Sequence, residues 1–102
     1  MRDKRNTHGS RAVRAGGEAA DGARKVSVVV NGWGGHLTLE QHAELLGQLV
    51  TVIGHLGDGI RAQAGYLGQY PHVVDGLREA AGGLDSARES LKKVQGQIEE
   101  LA

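Results

Sequence analysis

The sequence predicts an all-α protein: an antiparallel, coiled-coil-like two-helix hairpin with a disordered basic N-terminal arm, assembling into a four-helix bundle. Three observations predict this fold class. Two seven-residue repeats of aliphatic residues run through the C-terminal part of the chain, and the only proline among its 102 residues separates them. Only three residues are aromatic, which argues against a β-sandwich core or a platform for stacking bases.

Residues 1–25 are predicted to form a disordered basic arm. They carry seven Lys or Arg against three Asp or Glu, a net charge of +4, and Val13 is their only large aliphatic residue after Met1. So little apolar surface cannot offset the entropy that is lost when a chain becomes ordered. Residues 26–102 carry a net charge of −4, so the whole chain is neutral and is not a uniformly basic nucleic-acid binder. The candidate phosphate contacts in the arm are Arg2, Lys4, Arg5, Arg11 and Arg14.

Residues 26–37 are predicted to be a Val/Gly-rich linker or a short strand. The run Val26–Val30 is rich in β-branched residues, which favour strands, and Asn31-Gly32 is typical of a turn. No second strand-like run follows it. The segment is therefore expected to be either an extended linker or an edge strand that pairs with a partner chain.

A helix is predicted over residues 39–68. Thr38 and Gln41 form the Thr-x-x-Gln pattern of a capping box, and Glu40 in the first turn complements the helix dipole. A seven-residue repeat follows and indicates a coiled-coil-like seam. Its two columns are Leu39, Leu46, Ile53, Ile60 and Leu67, and His42, Leu49, Leu56, Gln63 and Tyr70.

A turn over residues 68–71 and a helix over residues 71–101 are predicted next. Gly68 suits a left-handed cap at the end of one helix, and Pro71 suits the first position of the following one. The second helix also repeats every seven residues. Its two apolar columns are Leu77, Leu84, Leu91 and Ile98, and Val73, Ala80, Ala87, Val94 and Leu101.

Folding the chain back at this turn brings the two repeats together as antiparallel helices, with Leu46 opposite Val94. The predicted helix–helix seam consists of Leu39, His42, Leu46, Leu49, Ile53, Leu56, Ile60, Leu67, Val73, Leu77, Leu84, Leu91, Val94, Ile98 and Leu101. The first helix has further apolar residues, Leu45, Val50 and Val52, outside this seam. Since one partner helix does not require so wide a face, these residues are predicted to contact a second copy or a partner helix.

Two polar residues interrupt the first repeat. His42 is expected to bond a carboxylate near the C-terminus, with a pH-sensitive latch as the alternative. Gln63 is expected either to set the register of the helix pair or to lie at a solvated end of it.

No arrangement of residues in the sequence indicates catalysis, cofactor binding or a metal site. There is no Cys, no His-x-x-x-His or Glu-x-x-His pattern, and no base beside a serine at a useful spacing. The chain is therefore predicted not to be an enzyme and to need no cofactor. The longest uninterrupted aliphatic run, Val28–Val30, is too short for a signal peptide or a membrane span, so we expect a cytoplasmic protein without a membrane partner.

Trp33, Gly34 and Gly35 form a Trp-x-Gly tripeptide. With a two-helix hairpin in a chain of this length, it resembles the small Trp-x-Gly helical proteins that type VII secretion exports. In that family the tripeptide lies in the turn between the helices, whereas here it is predicted to precede both. The family's Tyr-x-x-x-Asp/Glu export signal is absent after Tyr66 and Tyr70. The resemblance implies a small secreted helical hairpin.

Three functions are therefore weighed. The favoured one is a non-enzymatic helical interaction or assembly module that acts through self-association or a partner helix. The second is a nucleic-acid-associated dimer whose basic arm makes salt-sensitive contacts with phosphates. The third is the small secreted hairpin of the Trp-x-Gly type.

Overall fold

The computed structural model describes residues 5–102, with side chains from residue 7 onward. Within this range the chain is helical and contains no strand, which confirms the predicted all-α class. Its elements are helix α1 (Arg5–Trp33), a 3-10 turn (Gly34–His36), helix α2 (Leu39–Tyr66) and helix α3 (Pro71–Leu101). They belong to two compact units, of which the first ends at Leu37 and the second spans Thr38–Ala102.

The predicted disordered arm over residues 1–25 is not confirmed, because helix α1 begins at Arg5 and runs through this segment. Five alanines lie within residues 12–23 and no proline interrupts them, and alanine is the strongest helix former. The 29 residues of α1 are also enough to offset the cost of nucleating a helix. Most of its described side chains are exposed, so burial within this chain does not account for the helix.

The predicted linker or strand over residues 26–37 is also corrected, because residues 26–33 complete helix α1. Each β-branched residue weakens a helix by only about 0.5 kcal/mol, so a helix that has already formed continues through them. Asn31 does not form a turn: its side-chain amide donates to the carbonyl oxygen of Ser27, one helical turn back, at 2.8 Å.

The Trp-x-Gly tripeptide begins at the last residue of α1. The ring centroid of Trp33 lies 5.5 Å from that of His36 in the following 3-10 turn. The tripeptide therefore precedes both helices of the hairpin, as predicted, but it follows helix α1, which was not predicted.

Helix α2 begins at the predicted residue. The Oγ1 of Thr38 accepts a hydrogen bond from the backbone N–H of Gln41 at 3.1 Å. The backbone N–H of Thr38 in turn donates to the Oε1 of Gln41 at 3.0 Å, which completes the capping box. Helix α2 ends at Tyr66, two residues before the predicted end.

A tight turn at residues 67–70 joins α2 to α3. The backbone N–H of Tyr70 donates to the carbonyl oxygen of Leu67 at 2.9 Å. The predicted left-handed cap at Gly68 is wrong, because φ is not positive there. The last turn of α2 tightens instead, and the N–H of Leu67 donates to the carbonyl oxygen of Ala64 at 3.3 Å.

Helix α3 begins at Pro71, as predicted. Proline fits the first turn because its missing N–H would have no helical partner there. The carbonyl oxygen of Tyr70 accepts hydrogen bonds from the N–H groups of Val73 and Val74, at 3.0 and 3.1 Å. The helix runs to Leu101, the predicted end.

Helices α2 and α3 pack against each other as an antiparallel pair. The contacts join residue 47 to residue 95, residue 54 to residue 88, and residue 61 to residue 85. Residue numbers therefore rise along α2 as they fall along α3. The pairing differs by two residues from the prediction, in which residue 47 faces residue 93.

One predicted column of the seam is displaced by one residue in each helix. The leucine and isoleucine columns are half-buried: Leu46, Ile53, Ile60 and Leu67 on α2, and Leu77, Leu84, Leu91 and Ile98 on α3. The second column is Ala43, Val50, Gly57 and Ala64 on α2, and Val74, Ala81, Arg88 and Gln95 on α3. The predicted second columns, which contain His42 and Val73, lie one residue away from these.

This displacement leaves four predicted seam residues 41–73 % exposed, namely Leu56, Val73, Val94 and Leu101. Leu39, at the start of the column that is not displaced, is 43 % exposed. The cause of the displacement is the size of the side chains between the helices. Small residues such as Ala43, Gly57 and Ala81 are buried along the line of contact between the helices, a position where small side chains favour close packing of two helices. The larger aliphatic side chains are consequently turned toward the flanks of the hairpin.

The core of the hairpin is made of small side chains. The buried hydrophobic residues in the described part of the chain are Ala43, Val50, Ala64, Val74 and Ala81, and no large side chain there is fully buried. Because the hydrophobic effect scales with the apolar area removed from water, such a core contributes little stability by itself.

Candidate interaction surface

A ridge of aliphatic side chains runs along α2 beside the seam. We call it the α2 ridge, and its members are Leu45, Leu49, Val52 and Leu56. Their alternating four- and three-residue spacing keeps side chains on one face of a helix. Val52 and Leu56 are each 45 % exposed, and Leu45 and Leu49 are half-buried.

Small residues line the corresponding face of α3. We call them the α3 small-residue flank, and they are Gly76, Ala80, Gly83, Ala87 and Ser90. All five are exposed. A Cβ atom added at Gly76 or Gly83 would meet no atom within 4 Å, so the flank is open.

The α2 ridge and the α3 small-residue flank lie on the same side of the hairpin. A Cβ added at Gly47 of α2 would contact the side chain of Gln95, which places this polar side chain of α3 over α2 on one side of the seam. The hydrogen bond from Arg61 to Asp85 lies on this same side. Because an α-helix has 3.6 residues per turn, the α2 ridge and the α3 small-residue flank both lie on the side of the seam opposite these polar side chains. We call the surface that they form together the apolar face.

The apolar face carries no charged residue along its length. Besides the ridge and the flank, it includes His42, Gly59, Gln63, Val73, Val94, Gln97 and Leu101. The charged residues of α2 and α3 occupy the other faces of these helices. Depletion of charge together with exposed aliphatic side chains is typical of the centre of a protein interface.

Two of the three residues predicted to face a partner belong to the α2 ridge, namely Leu45 and Val52. The third prediction, Val50, is wrong, because this side chain is only 6 % exposed and lies between α2 and α3. The seven-residue step from Ala43 places Val50 in the seam column. Val50 is therefore not available to a partner.

An ion pair links the two helices on the polar side of the hairpin. The guanidinium of Arg61 donates a hydrogen bond to a carboxylate oxygen of Asp85, and the two side chains are 45 % and 51 % exposed. This hydrogen bond, followed by the charge of Asp85, raises the pKa of Arg61; desolvation opposes the rise, and the charge of Asp58 adds a still smaller contribution to it. Because water screens an exposed pair, its contribution to stability is small.

Two long polar side chains of α3 lie over glycines of α2 on the same side of the hairpin as this ion pair. A Cβ added at Gly54 would lie 3.4 Å from the Nε of Arg88, and one added at Gly47 would lie 2.7 Å from the Nε2 of Gln95. Glycine at these two positions therefore makes room for the α3 side chains. The Nε of Arg88 is buried and has no hydrogen-bond partner in the described part of the chain.

The two polar residues of the predicted seam lie on the apolar face. His42 is half-buried near the start of α2, and Gln63 is exposed near its end. Neither belongs to the columns between α2 and α3.

The candidate phosphate contacts lie on α1 or before it. Arg2 and Lys4 are outside the described residues, and Arg5 is the first residue of α1. Arg11 and Arg14 are exposed. Because they are three residues apart on a helix, they share one face of α1.

Within residues 5–102, no helix combines the length and the apolarity needed to cross a membrane. The same part of the chain contains no group of three His, Asp or Glu side chains placed to hold a metal ion.

The sequence interpretation missed two features of the hairpin. One is the α3 small-residue flank, although Gly76, Gly83 and Ser90 share the spacing of the α2 ridge. The other is the pair of glycines, Gly47 and Gly54, that accept long side chains. Their seven-residue separation is the signal that could have revealed them.

Comparison with known proteins identifies no relative of this chain, since no protein-family model, no curated protein and no solved structure matches it.

Proposed function

We propose that this chain is a non-enzymatic helical assembly module, which associates with another helical surface through the apolar face of its α2–α3 hairpin. The apolar face is the observation that carries the proposal. It combines exposed aliphatic side chains, such as Val52 and Leu56, with the absence of charge. A contiguous apolar surface of this kind marks an interaction site in a protein that works in water.

The small core of the hairpin supports the same proposal. The large side chains of the described hairpin all retain some exposure. A second helical layer over the apolar face would remove the α2 ridge from water, and each fully buried Leu or Val contributes about 1.5–3 kcal/mol. Helical domains generally reach stability by packing two such layers around one core.

Sedimentation of two matched variants tests the proposal. Leu56→Lys and His55→Lys place a lysine at neighbouring positions of α2, but only the first is on the apolar face. We expect wild-type chain and His55→Lys to associate at micromolar concentration. Leu56→Lys should weaken association at least about a hundredfold, because burying an unpaired charge costs several kcal/mol and each 1.4 kcal/mol is a tenfold change.

Circular dichroism of both variants at the same concentration shows whether each remains helical. Equal weakening of association by the two lysines would contradict the assignment of the face. A wild-type chain that stays monomeric up to high micromolar concentration would contradict self-association.

A second candidate function is phosphate binding by helix α1, which the shared exposed face of Arg11 and Arg14 favours. Such binding would be non-specific and salt-dependent. In a gel shift at low salt, the double variant Arg11→Ala/Arg14→Ala should lose binding, whereas Arg78→Ala on the acidic hairpin should not. A wild-type chain that shifts no nucleic acid at low salt would eliminate this candidate.

A further inference from the structure

We propose that the apolar face is covered by a second copy of this chain, and that the α2 ridge of each copy packs on the α3 small-residue flank of the other. This inference rests on the proposed function and specifies both the partner and the pairing of helices.

The apolar face is complementary to itself in side-chain size. One half projects four aliphatic side chains, and the other half offers only Gly, Ala and Ser. Large side chains that meet small ones interdigitate at the density of a protein interior. If the α2 ridges of the two copies packed on each other, their large side chains would hold the helices apart. If the two α3 small-residue flanks packed on each other, they would leave a void, and a void lowers the stability of an interface. Crosswise pairing is the arrangement that fills the space in both halves.

Area also favours a second copy, and charge determines which face that copy can cover. The hairpin carries five Lys or Arg against nine Asp or Glu, so two copies repel each other where their charged faces meet. Association through the uncharged apolar face leaves these like charges on the outer faces of the dimer, away from each other. Helix α2 has 28 residues and is therefore about 42 Å long. Two helices side by side present a face about 20 Å wide, so each copy offers about 800 Å², which is what a stable interface buries per partner.

Crosswise pairing fixes the symmetry of the dimer. A twofold axis parallel to the helices places α2 of one copy beside α3 of the other, and leaves every residue at its own height along the bundle. The two α2–α3 turns then lie at the same end. A residue of one copy therefore faces the residue of the second copy that is level with it within a single chain. Within the chain, residue 54 is level with residue 88. Leu56 is thus opposite Ala87 of the second copy, and Val52 is opposite Ser90.

Disulfide cross-linking tests this geometry, because the natural chain contains no Cys. Chains carrying Leu56→Cys are mixed with chains carrying Ala87→Cys, equilibrated under reducing conditions and then oxidised. We expect a covalent dimer that contains one chain of each kind, since a disulfide forms only where Cα atoms approach within about 7 Å. A mixture of Val52→Cys and Ser90→Cys chains repeats the test, should the first pair disturb folding.

Ser86→Cys mixed with Leu56→Cys is the matched control, because Ser86 is at nearly the same height as Ala87 but on another face. It should give no covalent dimer. Cross-linking of Leu56→Cys chains with each other, or an associated chain that cross-links in neither mixture, would overturn the crosswise pairing and leave the proposed function standing. A chain that sediments as a monomer would overturn both.

Discussion

At the scale of single residues, the glycines of the hairpin differ in what surrounds them. A Cβ added at Gly82 meets no atom within 4 Å, whereas one added at Gly47 lies 2.7 Å from the Nε2 of Gln95. Gly82→Ala should therefore raise the free energy of unfolding by about 0.5–1 kcal/mol, through helix propensity alone. Gly47→Ala should raise it less, because Gln95 must move. Urea unfolding at one fixed protein concentration measures both, and an equal gain at the two sites would contradict the contact.

The ion pair between Arg61 and Asp85 leads to a second residue-scale prediction. Arg61→Asp places two carboxylates together and should lower the midpoint of thermal unfolding. The double variant Arg61→Asp/Asp85→Arg should recover most of that loss. Both effects should shrink in high salt because the pair is exposed. The raised pKa of Arg61 means that the pair stabilises the fold throughout the neutral range. The contribution that depends on the charge of Arg61 is lost as the pH rises past the arginine pKa into strongly alkaline solution. No rescue by the double variant would show that the pair does not couple the helices.

At the scale of elements, the start of α2 depends on its capping box. Thr38→Ala removes the acceptor of the Gln41 N–H and should lower the free energy of unfolding by about 1 kcal/mol. Thr38→Ser keeps a hydroxyl at the same place and should retain most of this contribution to the free energy of unfolding. Urea unfolding followed by circular dichroism compares the two variants. A loss with serine as large as that with alanine would mean that the methyl group, and not the hydrogen bond, stabilises this end.

The beginnings of α2 and α3 could be predicted because neighbouring residues determine them: Thr38 and Gln41 for the first, Pro71 for the second. Helix α1 could not be predicted in this way, because the low apolar content of residues 1–25 is also typical of a disordered segment. A segment such as Val26–Val30 has high strand propensity, but no strand among residues 5–102 supplies the hydrogen bonds that a sheet needs. A helix satisfies its hydrogen bonds within one segment and so formed instead.

The seam and the apolar face were predictable only in part, for a physical reason that Leu56 illustrates. A heptad pattern shows which residues share a face but not how the helix is rotated about its axis. The sequence interpretation assigned the largest side chains to the seam, whereas close approach of the backbones favours small residues such as Ala43 and Ala81. The resulting rotation buries Val50 and exposes Leu56. The same rotation creates the α2 ridge.

At the scale of the whole molecule, the flanks of the seam and the apolar face divide the large aliphatic side chains of the hairpin between them. The seam between α2 and α3 buries small side chains, and the larger ones are divided between the flanks of the seam and the α2 ridge. Association through the apolar face would therefore bury the side chains that a larger single-chain core would normally enclose. Folding and association are then linked, since what binds only the folded chain stabilises it.

This linkage predicts that the stability of the chain depends on its concentration. For a dimer that unfolds to two separate chains, each tenfold increase in concentration adds about 1.4 kcal/mol to the free energy of unfolding. Wild-type chain and His55→Lys should thus show a thermal midpoint that rises with concentration. Leu56→Lys should unfold at a lower midpoint that stays constant, because its ridge no longer packs on a second copy. Calorimetry over a hundredfold range of concentration measures this directly. A wild-type midpoint that is independent of concentration, together with full helicity, would show that the two-helix unit is stable alone and that its apolar face contributes nothing to folding.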